Sequence, residues 1–120
     1  MSYMLLIIEP VGQRRERTEA EGHRVYEQML HFADKLKTRG VLRASESLAS
    51  GARRLQKRDG RQDILDGPFA EAKELVGGYA VIDVHSKEEA VELGRRLVQL
   101  HLDHIPDWDG TVEIRQIADF

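Results

Sequence analysis

The sequence predicts an α+β sandwich, and three observations carry that prediction. Two short runs, Tyr3 to Ile8 and Tyr79 to Val84, are almost wholly apolar, as strands inside a sheet are. Two longer stretches open on capping sequences and repeat apolar residues at helical spacing. Between them, Asp59-Gly60 separates two polar arms and marks a tight hairpin, because both positions tolerate left-handed backbone.

Each element follows in order. Strand one, Tyr3 to Ile8, stops at Pro10 and Gly12, and Gln13 to Arg17 reads as a charged loop. Thr18-Glu19-Ala20-Glu21 is a capping box. The helix it opens runs to about Arg39, with Val25, Met29, Phe32 and Leu36 as its buried stripe and Gly40 as its stop. Val41 to Leu48 is the second strand, and Ala52 to Arg58 with Arg61 to Leu65 form the hairpin arms. Gly77-Gly78 leads into the strand Tyr79 to Val84. A phosphate loop needs glycines ahead of a helix, so here they imply a bulge or a close backbone approach. Ser86-Lys87-Glu88-Glu89 is a second capping box, and Ala90, Leu93, Leu97 and Leu100 make the stripe of the helix it starts. Thr111 to Ile117 alternates apolar with charged residues, as a half-buried strand does.

Two helices over one face of a four-stranded sheet is the simplest layering of that order. It is a ferredoxin-like α/β sandwich with an extra β-hairpin, one domain across residues 1–120. Both central strands are apolar on their two faces. The sheet's second face is therefore expected to be covered as well, most simply by a homodimer joined through the sheet faces.

Composition narrows the function classes. Hydrophobic residues make up 41% and charged residues 32%, the balance of a folded chain in water. Lysine and arginine total 18 against 21 acidic residues, with no basic stripe interleaved with aromatics, so no nucleic-acid partner is expected. The apolar run ending at Glu9-Pro10 is too short for a membrane span or a signal peptide, so no membrane partner is expected either. The absence of cysteine removes thiol chemistry and disulfides and fits a cytoplasmic protein.

Asp66-Gly67-Pro68-Phe69-Ala70-Glu71, followed by Lys73-Glu74, Gly77-Gly78-Tyr79 and Ile82-Asp83, resembles the YCII-related family, in particular its DGPF branch. Tyr3 to Ile7, Gly40-Val41-Leu42, Asp59-Gly60 and Thr111 to Arg115 extend the likeness over almost the whole chain. The resemblance implies a dimeric α+β barrel of two ferredoxin-like halves. In the YciI-like branch a His-Asp pair is proposed as catalytic. Placed through the glycine after the first helix, that histidine falls near Met29, and His31 lies on a different part of the helix. The resemblance therefore directs attention to Asp66 and Lys73 instead.

Several residues have the chemistry of a site. Asp66 reads as an Asx-type turn or as a carboxylate fixed at a pocket rim, able to act as a base. Lys73 reads as an ion-pair partner for a carboxylate such as Asp66, or as a cation for a substrate carboxylate or developing oxyanion. If the segment is extended, Glu71 and Lys73 share a face. His101 and His104 sit three apart near a helix end, with Asp103 and Asp107 beside them. That is a weak metal pattern, and no metal or other cofactor is expected; His104 is the candidate proton carrier of the two. Glu9 and Asp83, at two strand ends, are read as carboxylates that face a common cleft or as plain strand-end polar residues. Glu74, Tyr79, His101 and Trp108 complete the candidate ligand-binding set.

The leading function is a small cofactor-independent enzyme using acid-base chemistry on a small organic molecule. The similar dimeric barrels of muconolactone isomerases and cofactor-free monooxygenases offer the fold analogy. The alternative is a non-catalytic small-molecule-binding or protein-interaction module.

Overall fold

The computed structural model describes residues 1–67 and 73–119. Residues 68–72 and 120 lie outside the described residues, and with them Pro68 of the expected turn and the Glu71 side of the expected Glu71–Lys73 pairing. The elements are β1 (Ser2–Pro10), α1 (Gln13–Glu16), α2 (Glu19–Thr38), β2 (Leu42–Ser47), β3 (Arg53–Arg58), β4 (Arg61–Asp66), β5 (Glu74–Asp83), α3 (Lys87–His104) and β6 (Thr111–Gln116).

Four strands pair in the order β2-β5-β1-β6, every neighbour antiparallel. The two apolar strands are the central ones, hydrogen-bonded along both edges. The connections β1–α2–β2 and β5–α3–β6 each cross one intervening strand. The arrangement is a mixed α+β sandwich compatible with a ferredoxin-like fold, and among the described residues the sheet does not close into a barrel.

Side-chain alternation sorts β1 into two rows. Tyr3 and Leu5 point at the helices and pack with Ile82 of β5, Leu36 of α2 and Ala90, Leu93 and Leu97 of α3. Val25 of α2 joins Ile105 and Trp108 in a second cluster, and Ile7 packs against both. Met4, Leu6 and Ile8 occupy the other face of the sheet and keep part of their surface exposed.

The caps bear out the sequence in one case and modify it in the other. Thr18 Oγ1 accepts from the Glu21 N–H at 3.1 Å and Glu21 Oε1 accepts from the Thr18 N–H at 2.9 Å, a complete capping box. Ser86 Oγ accepts from the Glu89 N–H at 3.2 Å, but Glu89 Oε2 accepts from the His85 N–H at 2.8 Å. The reciprocal bond thus satisfies a donor one residue upstream of the expected one.

The stretch expected as a charged loop holds the short helix α1. Gly12, at φ 87°, makes the left-handed step that a side chain would resist. Gln13 then pins α1 to the loop after α3: its Nε2 donates to the Asp109 carbonyl at 2.9 Å and its Oε1 accepts from the Asp109 N–H at 2.7 Å.

β3 and β4 form a separate two-stranded ribbon, closed by Asp59 at φ 53° and Gly60 at φ 75°, the primed turn that Asp-Gly favours. Leu55 and Ile64, paired across the ribbon, are 69% and 65% exposed. The projecting ribbon helps explain a radius of gyration of 16.0 Å, where about 14 Å is usual for a compact chain of this length. Among the described residues no helix is long and apolar enough to cross a membrane.

β5 starts at Glu74, five residues before the predicted strand, so Gly77 and Gly78 lie inside it. The register shifts there: Ile7 pairs with Gly78 and Ile8 with Val76, leaving Gly77 as the extra residue of a bulge. A Cβ on Gly77 would collide with Glu9 Oε1 and stand 2.6 Å from Arg14 Nη2. Gly77→Ala is therefore expected to cost more than about 2 kcal/mol in urea unfolding, by overpacking. Gly60→Ala, strained in backbone but open in space, should cost about 1 kcal/mol. Equal losses would show that the close approach to Gly77 carries no special constraint.

Candidate functional site: a buried Glu9–Arg14 pair beside His101

Glu9 occupies the last inward position of β1, two residues beyond Ile7 on the same face. It is 5% exposed. Burying a carboxylate costs several kcal/mol unless a partner and hydrogen bonds compensate it. Arg14 of α1 supplies both. Its Nε donates to Glu9 Oε1 at 3.0 Å, and its Nη2 lies 2.9 Å from the same oxygen. The rest of the guanidinium is spent on backbone: Nη1 donates to the Leu48 carbonyl and Nη2 to the Gly77 carbonyl, each at 2.6 Å. One arginine thus ties together the end of β1, the loop after β2 and the bulge of β5. No described donor reaches Glu9 Oε2.

His101 reaches the same region from α3. It continues the buried stripe of Ala90, Leu93 and Leu97 and is 5% exposed. Its Nδ1 lies 2.8 Å from the Leu97 carbonyl, which can only accept, so Nδ1 carries a proton and the neutral ring keeps its lone pair on Nε2. Burial holds the His101 pKa below the ordinary histidine value. The Leu97 bond and the charge of Glu9 oppose that shift, while Arg17 and Arg14 add to it. Trp108 lies against the ring, with centroids 4.6 Å apart at a 32° tilt. The chain reverses at Ile105, whose N–H bonds the His101 carbonyl, and Trp108 N–H bonds the Ile105 carbonyl, which folds the indole back onto α3. Trp108 Nε1 is buried and, among the described residues, has no acceptor.

Glu9, Arg14, Arg17 and His101 line one cavity of about 130 Å³, with Gly22, Tyr26 and Met29 on its α2 side. Arg17 makes no hydrogen bond to a described residue. Gly22 leaves room for it, since a Cβ there would stand 3.3 Å from Arg17 Nε. A neighbouring cavity of about 190 Å³ shares Glu9, Arg14 and Arg17 and is bordered by Trp108.

The structure thus brings Glu9, His101 and Trp108 together and places the other candidates elsewhere. Asp66 ends the exposed ribbon, where Arg53 Nε donates to its Oδ1 at 2.6 Å, so its ion-pair partner is Arg53 and not Lys73. Lys73 and Glu74 are exposed at the start of β5. Lys73 supplies its carbonyl to the Val11 N–H at 3.0 Å. Tyr79 borders a separate apolar cavity. His104 is half-buried at the end of α3, one turn beyond His101, and lines none of the cavities that hold Glu9. Among the described residues no three His, Asp or Glu side chains converge as metal ligands would. The cleft expected to join Glu9 and Asp83 does not form. β1 and β5 are antiparallel, so their C-terminal ends lie at opposite ends of the sheet. Asp83 instead bonds Arg43 at 2.7 Å and the amino terminus at 3.2 Å.

Arg14 and Arg17 are the residues that sequence reasoning missed, because their run reads as a solvated charged loop. The available signal was Glu9 itself: a carboxylate that continues the inward row Tyr3-Leu5-Ile7 needs a cation nearby.

The depressed pKa of His101 links folding to pH. The unfolded chain takes up the His101 proton at a higher pH than the folded chain does. The stabilisation is whole above the ordinary histidine pKa and is lost as pH falls through it toward the lower folded value. Melting temperatures from pH 8 to pH 5 should therefore fall more steeply for the wild type than for His101→Gln. Parallel curves would remove His101 as the source of the slope.

A family model for the YCII-related domain matches residues 1–120, the whole chain. The uncharacterized protein R00369 of Rhizobium meliloti (strain 1021) is 33% identical over 69 residues, which cover 58% of this chain and 52% of that protein. The chain thus spans about half the length of this curated relative. By the match over its full length, this chain belongs to the YCII-related family.

Proposed function

We propose that this protein is a cofactor-independent enzyme that moves a proton on a small organic molecule in the cavity of Glu9 and His101. The observation that carries this reading is the buried histidine with one ring nitrogen fixed by a carbonyl and the other left with its lone pair. Burial keeps His101 neutral near pH 7, the form in which Nε2 can accept a proton. A proton taken from the substrate turns His101 into an imidazolium, and the carboxylate of Glu9 favours that charge. Arg17, which makes no hydrogen bond to a described residue, would face the negative charge left on the substrate. Return of the proton from Nε2 to a different substrate atom completes an isomerisation and needs no oxidant or second reactant.

This reading moves the acid-base role from Asp66, Lys73 and His104 to His101 and Glu9. With a substrate identified from a panel of carbonyl compounds, His101→Asn should lower kcat at least about 100-fold, in keeping with general-base catalysis. Glu9→Gln should lower it less, and Asp66→Asn and Lys73→Met should leave it near wild type. For the wild type, kcat/KM should rise with pH through a pKa below the usual histidine value. Full turnover by His101→Asn would defeat the assignment. The alternative of a binding module without turnover has one observation in its favour: every guanidinium nitrogen of Arg14 is spent on protein groups, as in a purely structural clamp.

The motif Asp66-Gly67-Pro68-Phe69 supports placing the chain in the DGPF branch. A homodimer through the sheet faces belongs to the same proposal. Met4, Leu6 and Ile8 of β1, with Val76 and Val81 of β5, form an apolar strip on the face away from the helices. Charged Glu113, Arg115 and Glu46 flank it on the neighbouring strands, an apolar centre with a polar rim. Two such faces packed together would give a dimeric α+β barrel. Light scattering should show a dimer for the wild type and a folded monomer for Leu6→Glu; a monomeric wild type contradicts this part of the proposal.

A further inference from the structure

We infer that the ligand of this site is an amphipathic organic anion, a small apolar body carrying one anionic head. The inference rests on reading the Glu9–His101 cavity as a small-molecule site, and it names what that site would take.

The 130 Å³ polar cavity does not stand alone. A larger one of about 340 Å³ runs between α2 and the strands β2 and β5. The two share Ile7, Tyr26, Met29 and Ser47 in their linings, so they adjoin and could be filled by one elongated ligand. The far part is lined mainly by hydrocarbon, including Leu5, Phe32, Ala33, Leu36 and Ala80. It would exclude a charged group and reward an apolar ring or short chain in proportion to the area removed from water.

Charge decides the near end. Glu9 and Arg14 neutralise each other, and each guanidinium nitrogen of Arg14 already donates to a protein group. Glu21, on the rim of the neighbouring cavity, accepts from the Thr18 backbone in the capping box. That leaves Arg17 as a half-buried cation with no hydrogen bond to a described residue, facing the polar cavity and its neighbour. A guanidinium fork is matched by a carboxylate or another planar oxyanion. Trp108 Nε1, which borders the neighbouring cavity, is a buried donor without an acceptor among the described residues. A neutral ligand would offer the Arg17 fork no oxyanion beyond the charge of Glu21 that it already faces, and a dianion would bring its second charge against Glu9.

Calorimetric titration with acetate, butyrate, octanoate and 4-phenylbutyrate, and with 4-phenylbutyramide as the uncharged match, tests the inference. Affinity should rise along the acids as the body grows, and 4-phenylbutyrate should bind at least tenfold more tightly than its amide. Arg17→Met should remove that tenfold preference without lowering the melting temperature, and Arg17→Lys should restore part of it. Ala33→Trp, which fills the apolar part, should weaken octanoate at least tenfold and leave acetate unchanged. Equal binding of acid and amide, a flat series, or no binding by any of the acids would overturn it. The outcome is separable from the proton-transfer reading. Tight binding of acids that His101→Asn retains, with no turnover of any substrate, would uphold the ligand class and defeat the catalysis. Turnover of neutral compounds that depends on His101 would do the reverse.

Discussion

The buried pair of Glu9 and Arg14 is the interaction on which the rest of this end of the molecule depends. A carboxylate at an inward strand position would be prohibitive alone, and half of the pair without the other would leave an uncompensated charge in a poorly solvated place. Arg14 makes the position tenable, and doing so requires three backbone segments to meet at one guanidinium. The β5 bulge exposes the Gly77 carbonyl to it, and the lack of a side chain at Gly77 lets the pair close. α1, where a loop was expected, carries Arg14 against β1, and the Gln13 amide, bonded to the Asp109 backbone, anchors that helix. The same bonds join α1 to the segment carrying Trp108, so the strand end and the helix end are fixed relative to each other.

A second constraint acts on His101. A buried histidine has two ring nitrogens to account for, and among the described residues only one meets an acceptor. The Leu97 carbonyl belongs to the previous turn of the same helix, so the tautomer is chosen by local geometry that persists as long as α3 does. Trp108 covers the ring face and shuts out water, which is the physical source of the lowered pKa. The tautomer is thus set by α3 itself, while the covering of the ring comes from the return of the chain over the end of α3 after Ile105.

Most of the fold was legible because its signals are local. The Thr18 capping box, the Asp59-Gly60 turn, the helical stripes and the alternation in β6 each depend on residues a few positions apart, and each element stands where those residues put it. The site was legible only in part. Glu9, His101 and Trp108 could be singled out as residue types with chemistry, but their meeting depends on strand direction and a bulge, which no short window encodes. The antiparallel pairing of β1 with β5 is why Asp83, which looked equivalent to Glu9, lies at the opposite end of the sheet. Asp66 shows the converse. Its motif carries the family resemblance, yet its carboxylate is spent on Arg53 across an exposed ribbon, so a segment can mark kinship without lining the cavity. His101 and His104 looked like a pair at helical spacing. Burial parts them, since His101 falls on the stripe that meets the sheet and His104 lies a turn beyond it.

One regularity joins the strand to the helix. Tyr3, Leu5, Ile7 and Glu9 are successive inward positions of β1, and Ala90, Leu93, Leu97 and His101 are successive inward positions of α3. Apart from the Tyr3 hydroxyl, each row is apolar until its last member, a carboxylate in one and an imidazole in the other. α3 runs antiparallel to β5 and hence alongside β1 in the same sense, so the two rows end at the same edge of the core. The apolar members align strand and helix, and that alignment delivers the carboxylate and the imidazole to one cavity. The hydrophobic packing that stabilises the sandwich is therefore also what sets the geometry of the site. A titratable residue that continues an apolar row, in place of an apolar one, is the mark by which such a site can be found in a sequence whose motifs point elsewhere.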